Sequence, residues 1–383
     1  MHCGHNHVNS KYIEKIKLNQ NFITHFNSKY KEKVWKPSSE KTLYTSYLGP
    51  VDIPVIEAPV ENHFFLQTSN PDNILIKVVD VKQVIEEFGM LGLPDVEFLL
   101  KIPPTQINSE ENKDTYEKIV KCNQLINKYS HDQDLVELLQ GKLKQLYAKN
   151  IPVDIYYNTI KYLQFLKDKF KLKNINSSKE IISIYNIPDF DNAFFTGDYM
   201  VYGNGEFFYP LGSSDIISHE LTHGLTEHLC QLEYENESGA LNEAFSDIFA
   251  ISFKNWLYNK FDIGQLPTWL IGDSIGINGE FLRSFEKPES SSYPQPSKYK
   301  GEHWSFSRND NGGVHTNSGV ANHLFYLICQ DIPIKISIDI FYKCLKNLNK
   351  NSDYKEFSTI LIQVTPDEYK DIINKHLSSL LLS

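Results

Sequence analysis

The chain has 383 residues, 41% of them hydrophobic and 13% aromatic, with 38 basic against 48 acidic side chains for a net charge of −10. That length and apolar share exclude a disordered or fibrous chain and leave room for two or three ordinary domains. The acidic balance argues against nucleic acid or anionic membrane as the main partner, and no apolar run approaches the roughly 20 residues of a transmembrane helix.

The opening Met1-His-Cys-Gly-His-Asn-His lacks a basic segment followed by an apolar one, so no standard signal peptide is expected. The reading is a soluble chain, cytoplasmic or exported by a non-standard route. Its five cysteines, Cys3, Cys122, Cys230, Cys329 and Cys344, are odd in number and scattered, which disfavours a disulfide framework. Residues 10 to 35 read as one or two short helices. From Tyr44 to Val81, β-branched and aromatic runs broken by Pro and Asn predict strands. Ser109–Lys113 reads as a polar linker. Apolar spacing at Ile119, Cys122, Leu125 and Ile126 then predicts helix over Asp114–Lys149, and another helix from Val153 that fades at the basic Lys167–Lys173. Ile181–Tyr185 alternates like a strand, and Asn192–Phe195 with Tyr199–Tyr202 reads as a pair of edge strands around a turn. Beyond Asp215 the pattern is mostly helical, except for a Pro-, Ser- and Gly-rich loop over residues 272 to 313. Strands in the first half and helices in the second make an α+β protein of two lobes.

The central motif is His219-Glu220-Leu221-Thr222-His223. Residues four apart on a helix share a face, so both imidazoles can reach one ion while Glu220 projects beside it. Zinc takes nitrogen and carboxylate ligands, and a catalytic site keeps a fourth position for water. Alone, five residues are a weak signal, compatible with two surface histidines. Two further clusters strengthen it. Nineteen residues separate His223 from Glu243, which lies in Ser238-Gly-Ala-Leu-Asn-Glu-Ala-Phe-Ser-Asp247 and shares a helical face with Asp247. One carboxylate can ligate the metal while the other accepts a ligand histidine's second ring proton. In Asp310-Asn-Gly-Gly-Val-His315, the paired glycines permit a tight turn that sets a histidine beside a carboxylate.

With these clusters, the chain resembles the thermolysin-like zinc peptidases, peptidase family M4. The resemblance runs over Val153–Leu348, through Asp191-Asn-Ala-Phe-Phe, Asp215–His223, Tyr234–Phe249, Leu282-Arg-Ser and Asp310–Leu327. A metzincin would need a glycine and a third histidine where Thr226 and Leu229 stand, and His228 falls one residue short. Gluzincin aminopeptidases share the His-to-Glu spacing but lack the Asp310–His315 cluster and the Asn192 motif.

The resemblance implies a β-rich N-terminal lobe and a helical C-terminal lobe, with the HExxH helix at the floor of the cleft between them. The expected division is an N-terminal extension or prosegment over 1–40, a β-rich lobe over 41–225 ending in the zinc helix, and a helical lobe over 226–383. It implies a metalloendopeptidase acting on peptides or proteins. One zinc ion would be held by His219, His223 and Glu243, with Glu220 as catalytic base. His315 and Tyr234 would hydrogen-bond the developing oxyanion, Asp310 would orient His315, and Asp247 and Asn242 would stand behind His219 and His223. Asn192 and the Ala193 backbone would bind the substrate backbone, and Arg283 a substrate carbonyl. Phe208, Leu211 and Ile216 would wall a pocket favouring a bulky apolar residue after the scissile bond, although ordinary core is an equal reading for them.

Relatives carry a calcium cluster whose carboxylates would fall at Asp215 and at position 254, which here is Lys254. The expectation is an empty cluster. Cys3–Ile16 resembles the prosegment of the protealysin-like subgroup without its Pro-Pro pair. Cys3, His5 or His7 could cap the zinc in a latent zymogen, or the segment could be a plain disordered tip. The alternatives to a general peptidase are a catalytically inactive binding module and a narrowly specific effector.

Overall fold

The computed structural model describes residues 39–382 apart from 59, 83–93, 188, 189, 191 and 264–266. The expected helices within 10–35, the prosegment, its candidate zinc-capping residues and Asp191 lie outside the described residues.

The chain divides into two compact units. The first gathers the described residues up to Ile160 together with Ser178–Gly212, and the second gathers Lys161–Ser177 with Ser213 onward. By its contacts the zinc-motif helix groups with the helical unit, because its most extensive packing is against the helix that follows it.

The first unit holds two sheets. One is antiparallel, in the order β1 (Ser39–Thr45), β2 (Gly49–Glu57), β3 (His63–Phe65) and β6 (Gln106–Asn108). Strand β2 alternates strictly, with Val51, Ile53 and Val55 buried and Asp52 exposed, as a half-buried strand should. The other sheet is mixed, in the order β4 (Gln67–Ser69), β5 (Leu75–Asp80), β7 (Glu180–Ile187), β9 (Met200–Gly203) and β8 (Ala193–Phe195). Its middle strands β5, β7 and β9 pair in parallel, and all four residues of β9 are buried. Of the pair β8 and β9, β8 alone lies at the sheet's edge. The expectation of two edge strands around a turn is corrected for β9, which pairs with β7 on its other side.

Among the described residues, this part of the chain also holds the helices α1 (Val96–Lys101), α2 (Ser109–Lys128) and α3 (Gln133–Phe170). The Ser109–Lys113 linker is corrected to the first turn of α2. Asn108 caps that helix, its Oδ1 accepting from the N–H groups of Glu110 and Glu111, and acidic residues in the first turn favour the helix dipole. The helix expected from Val153 is the second half of α3, which runs through Pro152 without a break. Buried Ile151, Val153, Ile155, Tyr156 and Tyr157 anchor this stretch, and such packing outweighs the lost proline N–H.

The second unit is built on α4 (Ser214–Leu229) and α5 (Asn236–Phe261), followed by α6 (Val314–Asn317), α7 (Gly319–Asp331), α8 (Ile334–Leu345), α9 (Tyr354–Val364) and α10 (Asp367–Ser379). The 272–313 loop contains one strand, β11 (Arg283–Ser284), which pairs with β10 (Leu270–Ile271). Helix α4 is buried at every residue from Ser214 to Thr226, and α5 at every residue from Ser238 to Phe253. A helix buried all round has no solvent for its polar side chains, so the His, Glu, Asp and Asn residues on these two must find partners inside.

Candidate metal centre and active site

Helices α4 and α5 bring the expected ligands together. His219 Nε2 and His223 Nε2 lie 3.1 Å apart, and each is 3.4 Å from a different oxygen of Glu243. A tetrahedral shell with zinc–ligand bonds of about 2.0–2.1 Å has edges of about 3.3–3.4 Å. His219, His223 and Glu243 form the one such cluster of metal-competent donors among the described residues.

The other ring nitrogens are tied down. His219 Nδ1 donates to Asp247 Oδ1 at 2.8 Å, and His223 Nδ1 donates to Asn242 Oδ1 at 2.9 Å. These bonds fix both tautomers so that Nε2 carries the lone pair facing Glu243. Glu220, Glu243 and Asp247 are each fully buried, and the guanidinium of Arg283 grips Asp247 through two 2.7 Å bonds. With the imidazoles neutral, as metal ligands must be, three buried carboxylates face one arginine, a negative excess that a metal cation would balance. Burial alone would strip a proton from His219, yet Glu243 and Asp247 outweigh it and push the imidazole up to about 10. The same histidines, led by His315 and His219, hold Glu243 well below the usual carboxylate range against the effect of burial. Donor type, spacing, orientation and charge all fit a zinc ion.

Glu220 stands apart from this network. Neither of its carboxylate oxygens has a hydrogen-bond partner, and burial pushes it up to about 7, with His219 opposing and Glu243 reinforcing the shift. Such a group can take and return a proton near neutrality.

The Asp310–His315 cluster joins the same site. Asp310 Oδ1 accepts from His315 Nδ1 at 2.5 Å, while His315 Nε2 lies 3.0 Å from the Tyr234 hydroxyl, which donates to Glu243. The turn requires both glycines. Gly312 and Gly313 have φ of +87° and +91°, and a Cβ would lie 2.3 Å from the Asn236 side chain at the first and 2.5 Å from the Ser305 carbonyl at the second.

Several residues here escaped the sequence reading. Asn322, fully buried on α7, donates to Asp247 Oδ2 at 2.8 Å. Ser246 Oγ lies 3.3 Å from His223 Nδ1, and Gln295 Nε2 donates to the His315 carbonyl at 2.6 Å. An asparagine seven residues beyond His315 on a helix was the one available signal for Asn322.

The remaining expected residues fall as follows. Asn192 and Ala193 lie at the start of edge strand β8, and Asn192 Oδ1 is buried without a partner. Phe208 and Leu211 are buried in the first unit and Ile216 in the second. His228 is exposed, as a residue outside the ligand set should be. At Asp215, Lys254 Nζ stands 3.5 Å from Oδ2, 2.8 Å from Asp273 Oδ1, and donates to the Leu270 carbonyl. Burial would raise Asp215, but Lys254, Ser213 and the Gly272 and Ile216 amides hold it below its usual range.

This constellation matches known proteins along the chain. The description "Thermolysin metallopeptidase, catalytic domain" fits residues 104–227, and "Thermolysin metallopeptidase, alpha-helical domain" fits residues 230–377. The neutral protease NprE of Bacillus pumilus is 36% identical over 230 residues, covering 58% of this chain and 72% of that protein. The chain belongs to the thermolysin metallopeptidase family. Bacillolysin of Bacillus subtilis (strain 168) is also 36% identical over 230 residues, a match spanning 42% of its length. Among solved structures, the precursor of protealysin, a metalloproteinase from Serratia proteamaculans, superposes with a TM-score of 0.55 at 26% identity, over 61% of this chain and 79% of that one. Membership in the thermolysin family makes the chain a zinc-dependent metalloendopeptidase by descent, with a β-rich first unit and a helical second one.

Proposed function

We propose that this chain hydrolyses internal peptide bonds, with His219, His223 and Glu243 as zinc ligands, and that it favours a bulky apolar residue after the scissile bond. One observation carries the reading: Glu220, buried beside a closed set of metal donors, keeps both carboxylate oxygens unpartnered. A structural zinc site needs no such group. Bound there, zinc would lower the pKa of a coordinated water towards about 7 and polarise the peptide carbonyl.

The chain's own residues would do the rest. Glu220 accepts the proton of the attacking water and returns it to the leaving amine, so the proton count closes within the site. Tyr234 and His315 supply hydrogen bonds where charge develops on the carbonyl oxygen, with Asp310 holding the His315 ring in place. Asp247 and Asn242 orient the ligand imidazoles. Arg283, locked by Asp247, presents the rest of its guanidinium to a substrate carbonyl. Asn192 and Ala193, at the start of an edge strand, would pair with the substrate backbone. Phe208, Leu211 and Ile216 would select the apolar side chain. Peptide libraries with zinc-loaded protein test the preference, and Glu220→Gln tests the reaction. Equal zinc with lost cleavage supports the reading, and equal cleavage defeats it.

Two further points belong to this proposal. Lys254 supplies a charge at Asp215 that repels a divalent cation, so no calcium is expected there. The similarity to a protealysin precursor supports a prosegment in residues 1–40. Deleting residues 1–10 and finding no gain in activity would remove a latency role for that tip.

A further inference from the structure

The second unit contains a recess of about 430 Å³ that shares no residue with the metal centre and lies where the end of α3, the later turns of α5 and the start of α8 converge. Its most buried lining residues are Phe165, Ser252 and Ile338, at 1%, 4% and 2% exposure. The exposed lining residues are Asn259, Lys260, Pro333 and Lys335. The Trp256 ring, half-buried between these groups, packs against Phe253 and Phe165 at centroid distances of 6.1 and 5.8 Å. The volume lies in the range of small-molecule sites, about 300–1,000 Å³, and the pattern of apolar walls with few polar groups is theirs too.

Ser252 marks this recess as more than a packing gap. Serine and threonine inside helices often return their hydroxyl proton to the carbonyl four residues back, as Ser218, Thr222, Ser358 and Thr359 do here, whereas the buried Thr226 and Ser252 hydroxyls do not, and of these two only Ser252 lines the recess. Ser252 Oγ is buried and has no partner. A buried hydroxyl without a partner is unfavourable unless something else bonds it.

The charge around the recess gives the second half of the argument. Lys169 pairs with Asp339 at 2.8 Å, and Lys260 pairs with Asp168 while its ammonium sits 4.8 Å from the Trp256 ring centre. Lys335, exposed, enters no side-chain hydrogen bond or ion pair among the described residues. Three lysines against two aspartates make a basic corner on a chain of net charge −10, and it continues the Lys167–Lys173 run that peptide hydrolysis leaves unused.

We infer that the recess binds a small aryl carboxylate, its ring against the wall formed by Phe165, Trp256 and Ile338, a polar substituent on the ring bonded to Ser252 Oγ, and its carboxylate at Lys335. The test is isothermal titration of the full-length zinc-loaded chain with 3-(4-hydroxyphenyl)propionate, 3-phenylpropionate and the neutral amide of the first. The expected order of affinity is the hydroxylated acid, then the unsubstituted acid, then the amide. Lys335→Glu should weaken both acids at least fivefold. Ser252→Ala should weaken the hydroxylated acid at least threefold and leave 3-phenylpropionate within twofold. Unchanged melting temperatures in both variants show that the fold is intact, independently of any peptidase assay. No measurable heat with the wild-type chain, or equal affinities in wild type and both variants, as binding at the zinc would give, would overturn the inference.

Discussion

Two buried acidic groups sit on helix α4 five residues apart, and the chain treats them in opposite ways. At Asp215 it provides its own cation, since Lys254 faces the carboxylate and is shared with Asp273. At Glu220, with Glu243 and Asp247 beside it, no lysine answers the carboxylates, and the guanidinium of Arg283 is spent on Asp247. Both regions are equally buried, so both face the same desolvation cost. The lesson lies in the balance. A carboxylate matched by a covalently attached ammonium has no use for a metal, whereas a cluster left with excess negative charge and two inward-facing imidazole nitrogens is built to take one.

The sharpest break in that comparison is Glu220→Gln. It removes a buried carboxylate with no hydrogen-bond partner on either oxygen, without touching a ligand, so zinc content by elemental analysis should be unchanged while kcat/KM falls by about 10²–10⁴-fold, the usual worth of a general base. Next is Lys254→Met, which leaves Asp215 buried and ionised without its counter-charge. Removing one partner of such a pair costs about 3–5 kcal/mol, read as a lower urea midpoint at pH 7. The sign of its pH dependence follows from the direction of the shift. Asp215 is held below its unfolded value of about 4, so its contribution is present above that pH and is lost as pH falls through the folded pKa. The gap between wild type and variant should therefore close in strong acid.

Asn322→Ala probes the other side at smaller scale. It removes one donor from Asp247, which itself orients His219, and substitutions behind metal ligands typically cost about 10–100-fold in affinity or activity. Zinc titration against a competing chelator measures it, and an unchanged affinity would show that Arg283 alone suffices to hold Asp247. The finest distinction is protonic. The flanking carboxylates push His219 up to about 10, so at pH 8 zinc has to displace a proton from it. Calorimetry of zinc binding in buffers of different ionisation heat should report release of about one proton at pH 8, and affinity should rise with pH up to that value.

Much of the metal centre was legible in the sequence because its spacing is local. His219 and His223 are one helical turn apart, as are Glu243 and Asp247, and a 3.6-residue period places each pair on a shared face whatever surrounds it. The Asp310–His315 turn was legible for a similar reason, since two adjacent glycines announce a backbone that other residues resist. The partners of Asp247 were less so. Arg283 and Asn322 lie 36 and 75 residues further on, and nothing in their local sequence shows that they converge on one carboxylate. In the first unit the polar Ser109–Lys113 stretch looked like a linker because a helix's exposed first turn has the same composition. The helices read as ending at Lys149 and starting again at Val153 are one helix through Pro152, because a proline's cost is local while the packing that overrides it is not.

The sequence by itself determined the periodic elements, the ligand pairs and the acidic character of the protein, since all of these depend on side chains close in order along the backbone. Only the tertiary structure decided that β9 is an inner strand, that Lys254 meets Asp215 instead of solvent, and that Glu220 is left without a hydrogen bond. Those outcomes depend on which distant segments are packed together and how completely they exclude water, and desolvation has no signature in the order of residues.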